Sequence, residues 1–156
     1  MHDGIASRDK GFSLIEMVLV VAILAIFAAI AAPRYGLAAG RYRLDLAARR
    51  VATDLRLAQA SAKAASSSRT VVFTPTTDVY QLQSVTAPDG KTGDYTVSLS
   101  CEPYRADLSG ASFNGASQVT FSGWGLPSSG GTVTLIAGSQ QKTITVDGET
   151  GQISIQ

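Results

Sequence analysis

Residues able to carry out acid–base, nucleophilic or metal chemistry are scarce in this chain. Its single histidine is His2 and its single cysteine is Cys101. A Ser–His–Asp triad, a Cys–His pair or a zinc site needs more of these residues, and one cysteine excludes an intramolecular disulfide. The acidic segment Asp147-Gly148-Glu149 lacks the ligand spacing of a calcium loop and predicts a hairpin turn. The sequence therefore predicts no catalytic residue, no metal site and no cofactor.

The most informative ionisable residue is Glu16, because it is the only charge in a long apolar run. Residues 12–32 read FSLIEMVLVVAILAIFAAIAA. An unpaired carboxylate in such surroundings is costly. Near a membrane interface its side chain can reach water, whereas in a bundle of helices it needs a cation from a neighbouring chain. In the second arrangement the ion pair would also set the register between chains, and the carboxylate alone leaves both arrangements open.

The apolar run predicts a membrane-spanning helix over residues 12–32. Such a helix would be about 31 Å long, which matches the hydrocarbon core of a bilayer, and it would be apolar on every face. The alternative is a secretory signal peptide cleaved near Ala32, which would leave the rest as a secreted binding module. The run is longer than the apolar region of such peptides, so we favour the membrane helix.

Residues 33–69 predict an amphipathic continuation of this helix. Between Arg41 and Ala65 apolar residues recur every three or four positions, without an internal Pro or Gly. Pro33, Gly36 and Gly40 are candidate positions for a kink, and the run Ser66–Ser68 predicts the end of the helix. The residues of the predicted buried face are Leu44, Ala48, Val51, Leu55, Ala58 and Ala62.

From residue 70 onwards the hydrophobic period changes to two, which predicts a β head over residues 70–156. Turn-forming residues separate the strands, among them Pro88-Asp89-Gly90. The sequence thus predicts an α+β fold, in which a long N-terminal helix with a transmembrane half and an amphipathic half packs on a small antiparallel β-sandwich-like head. The predicted strands are Thr70–Thr74, Val79–Val85, Tyr95–Leu99, Gln118–Ser122, Thr132–Ala137, Lys142–Val146 and Gly151–Ile155.

The junction at the start of the apolar run reads Lys10-Gly11-Phe12-Ser13-Leu14-Ile15-Glu16 and resembles the class III signal of bacterial type IV prepilins and pseudopilins. The resemblance implies that residues 1–11 are a leader, cut after Gly11 by a prepilin peptidase, and that Phe12 becomes a methylated N-terminus. It implies that Glu16 serves assembly by pairing with the Phe12 amine of a neighbouring subunit. It also implies a single pass of the inner membrane, with the leader cytoplasmic and the head periplasmic.

The remainder of the chain resembles the GspH/FimT group of minor pilins and pseudopilins. The segments that carry this resemblance are the helix end Val51–Lys63, the turn Phe121–Pro127 and the closing Gly151–Ile155. It implies a non-enzymatic minor pseudopilin of type II secretion or, alternatively, a minor type IV pilin for pilus assembly, adhesion or DNA uptake. The implied partners are other pilin or pseudopilin subunits, the prepilin peptidase, the inner membrane and the assembly platform of the machinery.

The distribution of charge helps to choose between these two functions. Residues 70–156 carry three basic and seven acidic side chains, a net charge of −4, whereas residues 34–69 carry a net +6. Phosphate recognition needs clustered Lys and Arg, so we disfavour nucleic acid as a partner and favour secretion. The basic helix predicts contacts with the heads of neighbouring subunits.

The sequence also suggests environments for Trp124 and Cys101 in the predicted head. Trp124 lies between two glycines, and we expect it to pack into the core, with an exposed anchor for a partner as the alternative. Cys101 follows a predicted strand, and we expect a small buried residue, with an intermolecular disulfide as the alternative.

Overall fold

The computed structural model of the chain describes residues 11–87 and 94–156, without the side chains of residues 31–35 and 37. Residues 1–10 of the predicted leader, which ends at Gly11, and the predicted turn at Pro88-Asp89-Gly90 lie outside the described residues. The chain divides into two compact units, Met1–Ala38 and Ala39–Gln156.

A single long helix, α1, extends from Leu14 to Ala65 and contributes residues to both units. The candidate kink positions all lie within its helical length. The helix ends at the predicted serine run, where Ser66 adopts a left-handed φ of 47°. The Ser66 amide donates to the Lys63 carbonyl and the Ser67 amide donates to the Ala62 carbonyl. This pair of hydrogen bonds is a Schellman motif, which satisfies carbonyls that the end of the helix would otherwise leave unpaired.

In the first unit the large apolar side chains of α1 are exposed along its whole described length. Their exposed fractions range from 45% at Val20 and Ile23 to 83% at Leu14. In the part of the chain that the structure describes, no helix is both long enough and apolar enough to cross a membrane.

The second unit contains, within the described residues, eight strands in two antiparallel sheets. The strands are β1 Arg69–Thr74, β2 Val79–Gln83, β3 Tyr95–Ser98, β4 Asp107–Phe113, β5 Gln118–Phe121, β6 Gly131–Ala137, β7 Gln140–Val146 and β8 Ile153–Ile155. The first sheet has the order β3-β2-β1-β5 and the second has the order β4-β6-β7-β8. A 3₁₀ turn, Pro75–Thr77, joins β1 to β2.

The amphipathic part of α1 and both sheets share one hydrophobic core. All six helix positions predicted to be buried are at most 2% exposed, from Leu44 to Ala62. In the sheets, the ring of Phe73 lies 5.8 Å from that of Tyr80 and 5.9 Å from that of Phe113, between ring centroids. The predicted α+β fold, with a helix packed on an antiparallel β head, is therefore confirmed.

All seven predicted strands are present with small changes at their ends, but β4 was not predicted. Its sequence, DLSGASF, contains no β-branched residue, and such residues are the usual indication of a strand. The register also shifts between Leu108 and Gly110. An irregularity of this kind interrupts the alternation of inward and outward side chains, so period-two patterning could not reveal this strand.

Candidate functional site

Gly11 and Phe12 directly precede α1, and both are exposed. Phe12 is 81% exposed. A Cβ at Gly11 would meet no atom within 4 Å, and Gly11 has no left-handed φ. The described fold therefore gives no steric or conformational reason for glycine at this position.

Ser13 and Glu16 begin the helix. The Glu16 amide donates to Ser13 Oγ at 3.2 Å, and the Met17 amide donates to the Ser13 carbonyl at 3.2 Å. Ser13 is thus the N-cap and Glu16 is the third helical residue, the spacing of a capping box. A carboxylate in the first turn is also favoured by the helix dipole. The Ser-x-x-Glu spacing at Ser13 and Glu16 is a sequence signal for the start of a helix. The prediction that Glu16 is a buried ion missed this signal.

The three predicted site residues, Gly11, Phe12 and Glu16, therefore lie next to one another at the start of α1, beside an exposed apolar helix surface. The cleavage after Gly11 and the methylation of Phe12 stay predictions. The pairing of Glu16 with a Phe12 amine involves a second chain, and it also stays a prediction.

A buried ionic network joins α1 to the first sheet. Asp54 is the buried charged residue of the core, at 2% exposure. Its Oδ2 accepts a 2.6 Å hydrogen bond from Tyr80 Oη and a 3.0 Å hydrogen bond from Arg50 Nε. Burial raises the pKa of the Asp54 carboxyl, and these two donors oppose that shift. The Arg50 guanidinium also lies over the Tyr95 ring, 5.6 Å from its centroid, so it is held on two sides.

A second ion pair joins α1 to β7. Lys142 Nζ lies 2.5 Å from Asp45 Oδ1, and Arg49 Nε lies 2.7 Å from Asp45 Oδ2. The hydrogen bond from Lys142, and then that from Arg49, holds the pKa of the Asp45 carboxyl below its usual value. These groups are partly exposed, so the pair fixes geometry more than it adds stability.

Several basic side chains of α1 contact the head of their own chain. Arg41 Nε donates to Gln140 Oε1 at 3.3 Å, and Arg56 donates to the Ile153 carbonyl at 2.9 Å. Arg49 and Arg50 form ion pairs with aspartates of α1. Much of the positive charge of α1 is therefore used in contacts within the second unit. The predicted contacts with neighbouring heads stay a prediction.

Two interpretations of single residues are wrong. Trp124 is 87% exposed and does not pack into the core, because the loop between β5 and β6 turns its side chain outward. Cys101 is exposed rather than buried, because it lies in the turns that follow β3. Among the described residues no group of three His, Cys, Asp or Glu side chains is placed to hold a metal ion.

These features together define a class of protein. A helix that begins after a Gly-Phe junction carries a glutamate in its first turn and then packs, through its amphipathic part, on a two-sheet head. This is the architecture of a type IV pilin-like subunit. The sequence matches the prokaryotic N-terminal methylation motif over residues 6–32 and the Type II transport protein GspH over residues 47–151. The chain belongs to the GspH family, whose members are structural subunits.

Two solved structures share this fold. The type IV minor pilin FimU of Pseudomonas aeruginosa matches with a TM-score of 0.54 at 12% identity, over 74% of this chain and 90% of that one. The minor pseudopilin EpsH from the type 2 secretion system of Vibrio cholerae matches with a TM-score of 0.55 at 16% identity, over 73% of this chain and 96% of that one. Among curated proteins, none matches the chain by sequence.

Proposed function

We propose that this chain is a minor pseudopilin of a type II secretion system, which is anchored in the inner membrane and assembles through α1 into a periplasmic pseudopilus. The observation that carries the proposal is the GspH match over residues 47–151. The likeness to EpsH, a minor pseudopilin by its description, agrees with it. The subunit is structural: it packs its helix into a bundle and presents its head on the filament.

Processing would occur at the junction of Gly11 and Phe12. The peptidase cuts after Gly11, and the new amine of Phe12 is methylated. Two observations support this step, namely the methylation motif over residues 6–32 and the glycine at position 11 that the described fold does not require. The prepilin peptidase is then the first partner of the chain, on the cytoplasmic side of the membrane.

The exposed apolar surface of residues 12–30 would be covered in two successive ways. Before assembly the bilayer surrounds it, since an apolar surface of this extent is unfavourable in water. After assembly the helices of neighbouring subunits replace the lipid, and Glu16 pairs with the Phe12 amine of a neighbour. The ion pair neutralises both charges inside the bundle. The assembly platform drives the transfer of the helix from the bilayer into the bundle.

The second candidate function is that of a minor type IV pilin. The fold likeness to FimU, a type IV minor pilin by its description, favours it. DNA uptake is the least favoured form of this alternative, because residues 70–156 carry a net charge of −4, which repels phosphates.

Removal of the chain from its native cell tests the proposal. We expect type II substrates to remain in the periplasm, pili to form normally, and the wild-type chain to restore secretion. The processing variant Gly11→Leu should not restore secretion, whereas the control variant Gly110→Ala should, because a Cβ at Gly110 meets open space. Loss of pili or of DNA uptake with normal secretion would favour the minor pilin instead.

A further inference from the structure

Trp124 is presented to solvent by a tightly closed loop between β5 and β6. Its side chain is 87% exposed, and that of Leu126 is 48% exposed. The Ser122 amide donates to the Leu126 carbonyl at 2.9 Å, and the Gly125 amide donates to the Ser122 carbonyl at 2.7 Å. The Leu126 amide also donates to Ser122 Oγ at 3.2 Å. These bonds fix the loop that carries the exposed indole.

The loop is fastened to the C-terminal end of α1. A Cβ at Gly123 would lie 2.7 Å from the backbone carbon of Ser66, so the two backbones are in direct contact. Gly125 has a φ of +79°, and its carbonyl accepts a 2.8 Å hydrogen bond from Gln59 Nε2. Because both glycines are needed for this geometry, the backbone that carries Trp124 is held against the end of α1. A fixed backbone lowers the conformational cost of presenting an exposed aromatic side chain to a partner.

Serine residues line the surroundings of Trp124, and two cationic side chains contact neighbouring residues. A shallow pocket of about 360 Å³ beside the ring is lined by Ser66, Ser68, Ser122, Gly123 and Trp124, without a carboxylate. The Lys63 side chain lies against Gly125. The Arg69 guanidinium donates to Ser67 Oγ at 2.8 Å and to the Ser68 carbonyl at 3.1 Å.

Lys63 thus lies against Gly125, the residue after Trp124, and Arg69 is hydrogen-bonded to Ser68, a residue of the pocket lining. In the described part of the chain, neither forms an ion pair with a carboxylate. We call Lys63, Arg69, Trp124 and Leu126 the Trp124 surface.

The Trp124 surface lies at the end of the second unit where α1 ends. At the other end of this unit, near the residues where α1 enters it, Arg41 contacts Gln140. The proposed filament brings the heads of neighbouring subunits together, so an exposed surface of one head is available to contact another.

We propose that the Trp124 surface is the contact site for the head of a different pilin-like subunit, one that offers an apolar pocket to Trp124 and carboxylates to Lys63 and Arg69. This inference rests on the proposed function. Trp and Arg are enriched in the residues that dominate protein interfaces, and the charge pattern selects an acidic partner. A two-fold contact between two copies of this chain is disfavoured, because it brings the same cations face to face.

Site-specific photo-cross-linking of the full-length chain in its native cell tests the proposal. The variant Trp124→p-benzoylphenylalanine should cross-link under ultraviolet light to another pilin-like subunit, at a surface rich in Asp and Glu. The matched control places the same group at exposed Ser100 and should give at least tenfold less product. In the Trp124 variant, Lys63→Glu should lower the yield at least fivefold, whereas Lys63→Arg should retain it.

The remaining outcomes contradict the inference in distinguishable ways. A product with a second copy of this chain, with lipid or with a glycan would overturn it, and so would the absence of a product from a chain that is processed and assembled. Either result leaves the proposed function standing. A wild-type chain that is neither processed nor assembled would overturn both. Trp124→Ala should keep the wild-type melting temperature, since its side chain is exposed, so lost binding cannot be attributed to unfolding.

Discussion

The phenolic Oη of Tyr80 lies 2.6 Å from Oδ2 of Asp54, inside the core of the head. Tyr80 belongs to β2 and Asp54 to α1, so this hydrogen bond joins the helix to the first sheet. Arg50 donates to the same oxygen at 3.0 Å. A buried carboxylate held by one neutral and one cationic donor depends on both, because either loss leaves its charge poorly solvated.

Removal of the Tyr80 hydroxyl should therefore destabilise the head. Tyr80→Phe should lower the free energy of unfolding by about 1–3 kcal/mol, the usual cost of leaving a buried acceptor without its partner. The matched control is Tyr95→Phe, since the Tyr95 Oη is buried and has no hydrogen-bond partner among the described residues. That variant should leave the free energy of unfolding unchanged or raise it, because it removes a buried hydroxyl that has no partner. Urea denaturation measures both, and equal losses would contradict the role of the pair.

Asp45 and Asp54 should give pH dependences of opposite sign. The hydrogen bond from Lys142 lowers the pKa of Asp45, whereas burial raises the pKa of Asp54, each from an ordinary value of 3.8. The Asp45 contribution to stability is thus present above pH 3.8 and is lost as pH falls through the lowered pKa. The Asp54 contribution is largest below pH 3.8 and declines as pH rises through the raised pKa.

Unfolding of Asp45→Asn and Asp54→Asn, compared with the wild type across the acidic range, measures this difference. The loss in free energy of unfolding caused by Asp45→Asn, relative to the wild type, should shrink as pH falls. The loss caused by Asp54→Asn should grow. Each variant is compared with the wild type at the same pH, and the two trends are then compared with each other. If the losses for the two variants change in the same direction with pH, these pKa shifts are contradicted.

Gly123 should tolerate no side chain. Gly123→Ala should lower the stability of the head by about 1–3 kcal/mol, because its Cβ would lie 2.7 Å from the backbone carbon of Ser66. The loop that carries Trp124 would have to move away from the end of α1. The control Gly110→Ala in β4 meets open space and should change stability by less than about 0.5 kcal/mol. Similar melting temperatures for the two variants would show that the loop is not packed as described.

The elements that could be predicted from the sequence are those with a strong local period. The buried face of α1 follows from its apolar spacing, since residues from Leu44 to Ala62 repeat at the helical period. Strand β4 could not be predicted, because it lacks β-branched residues and its register is irregular at Gly110. Its position depends on pairing with β6, which is a contact between distant parts of the chain.

The exposure of single side chains could not be predicted in the same way. Trp124 is apolar enough for a core, but Gly123 and Gly125 turn it outward, and this outcome depends on how the loop meets Ser66. The burial of Asp54 depends on Tyr80, which is distant in sequence. At the N-terminal site, by contrast, Gly11, Phe12 and Glu16 lie within six residues of sequence, so a short motif was sufficient to propose them.

The charge of Glu16 should matter far more for assembly than for the start of the helix, to which the helix dipole adds only a small contribution. Glu16→Gln should be processed normally and be incorporated into filaments at least tenfold less, because it cannot pair with the Phe12 amine. Gln also fits the capping position, so the variant removes the charge while it keeps the helix start at Ser13. Glu16→Asp retains the charge and should assemble better than Glu16→Gln. Quantification of the subunit in sheared filaments measures this, and wild-type assembly of Glu16→Gln would contradict the ion pair.

The N-terminal mass and sequence of the chain, purified from its native membranes, test the central claim most directly. The account predicts a mature chain that begins at N-methylated Phe12, without residues 1–11. A mature chain that begins near Pro33 and is found free of the membrane would contradict it. The head would then be a secreted binding module, and the apolar run would be a signal peptide.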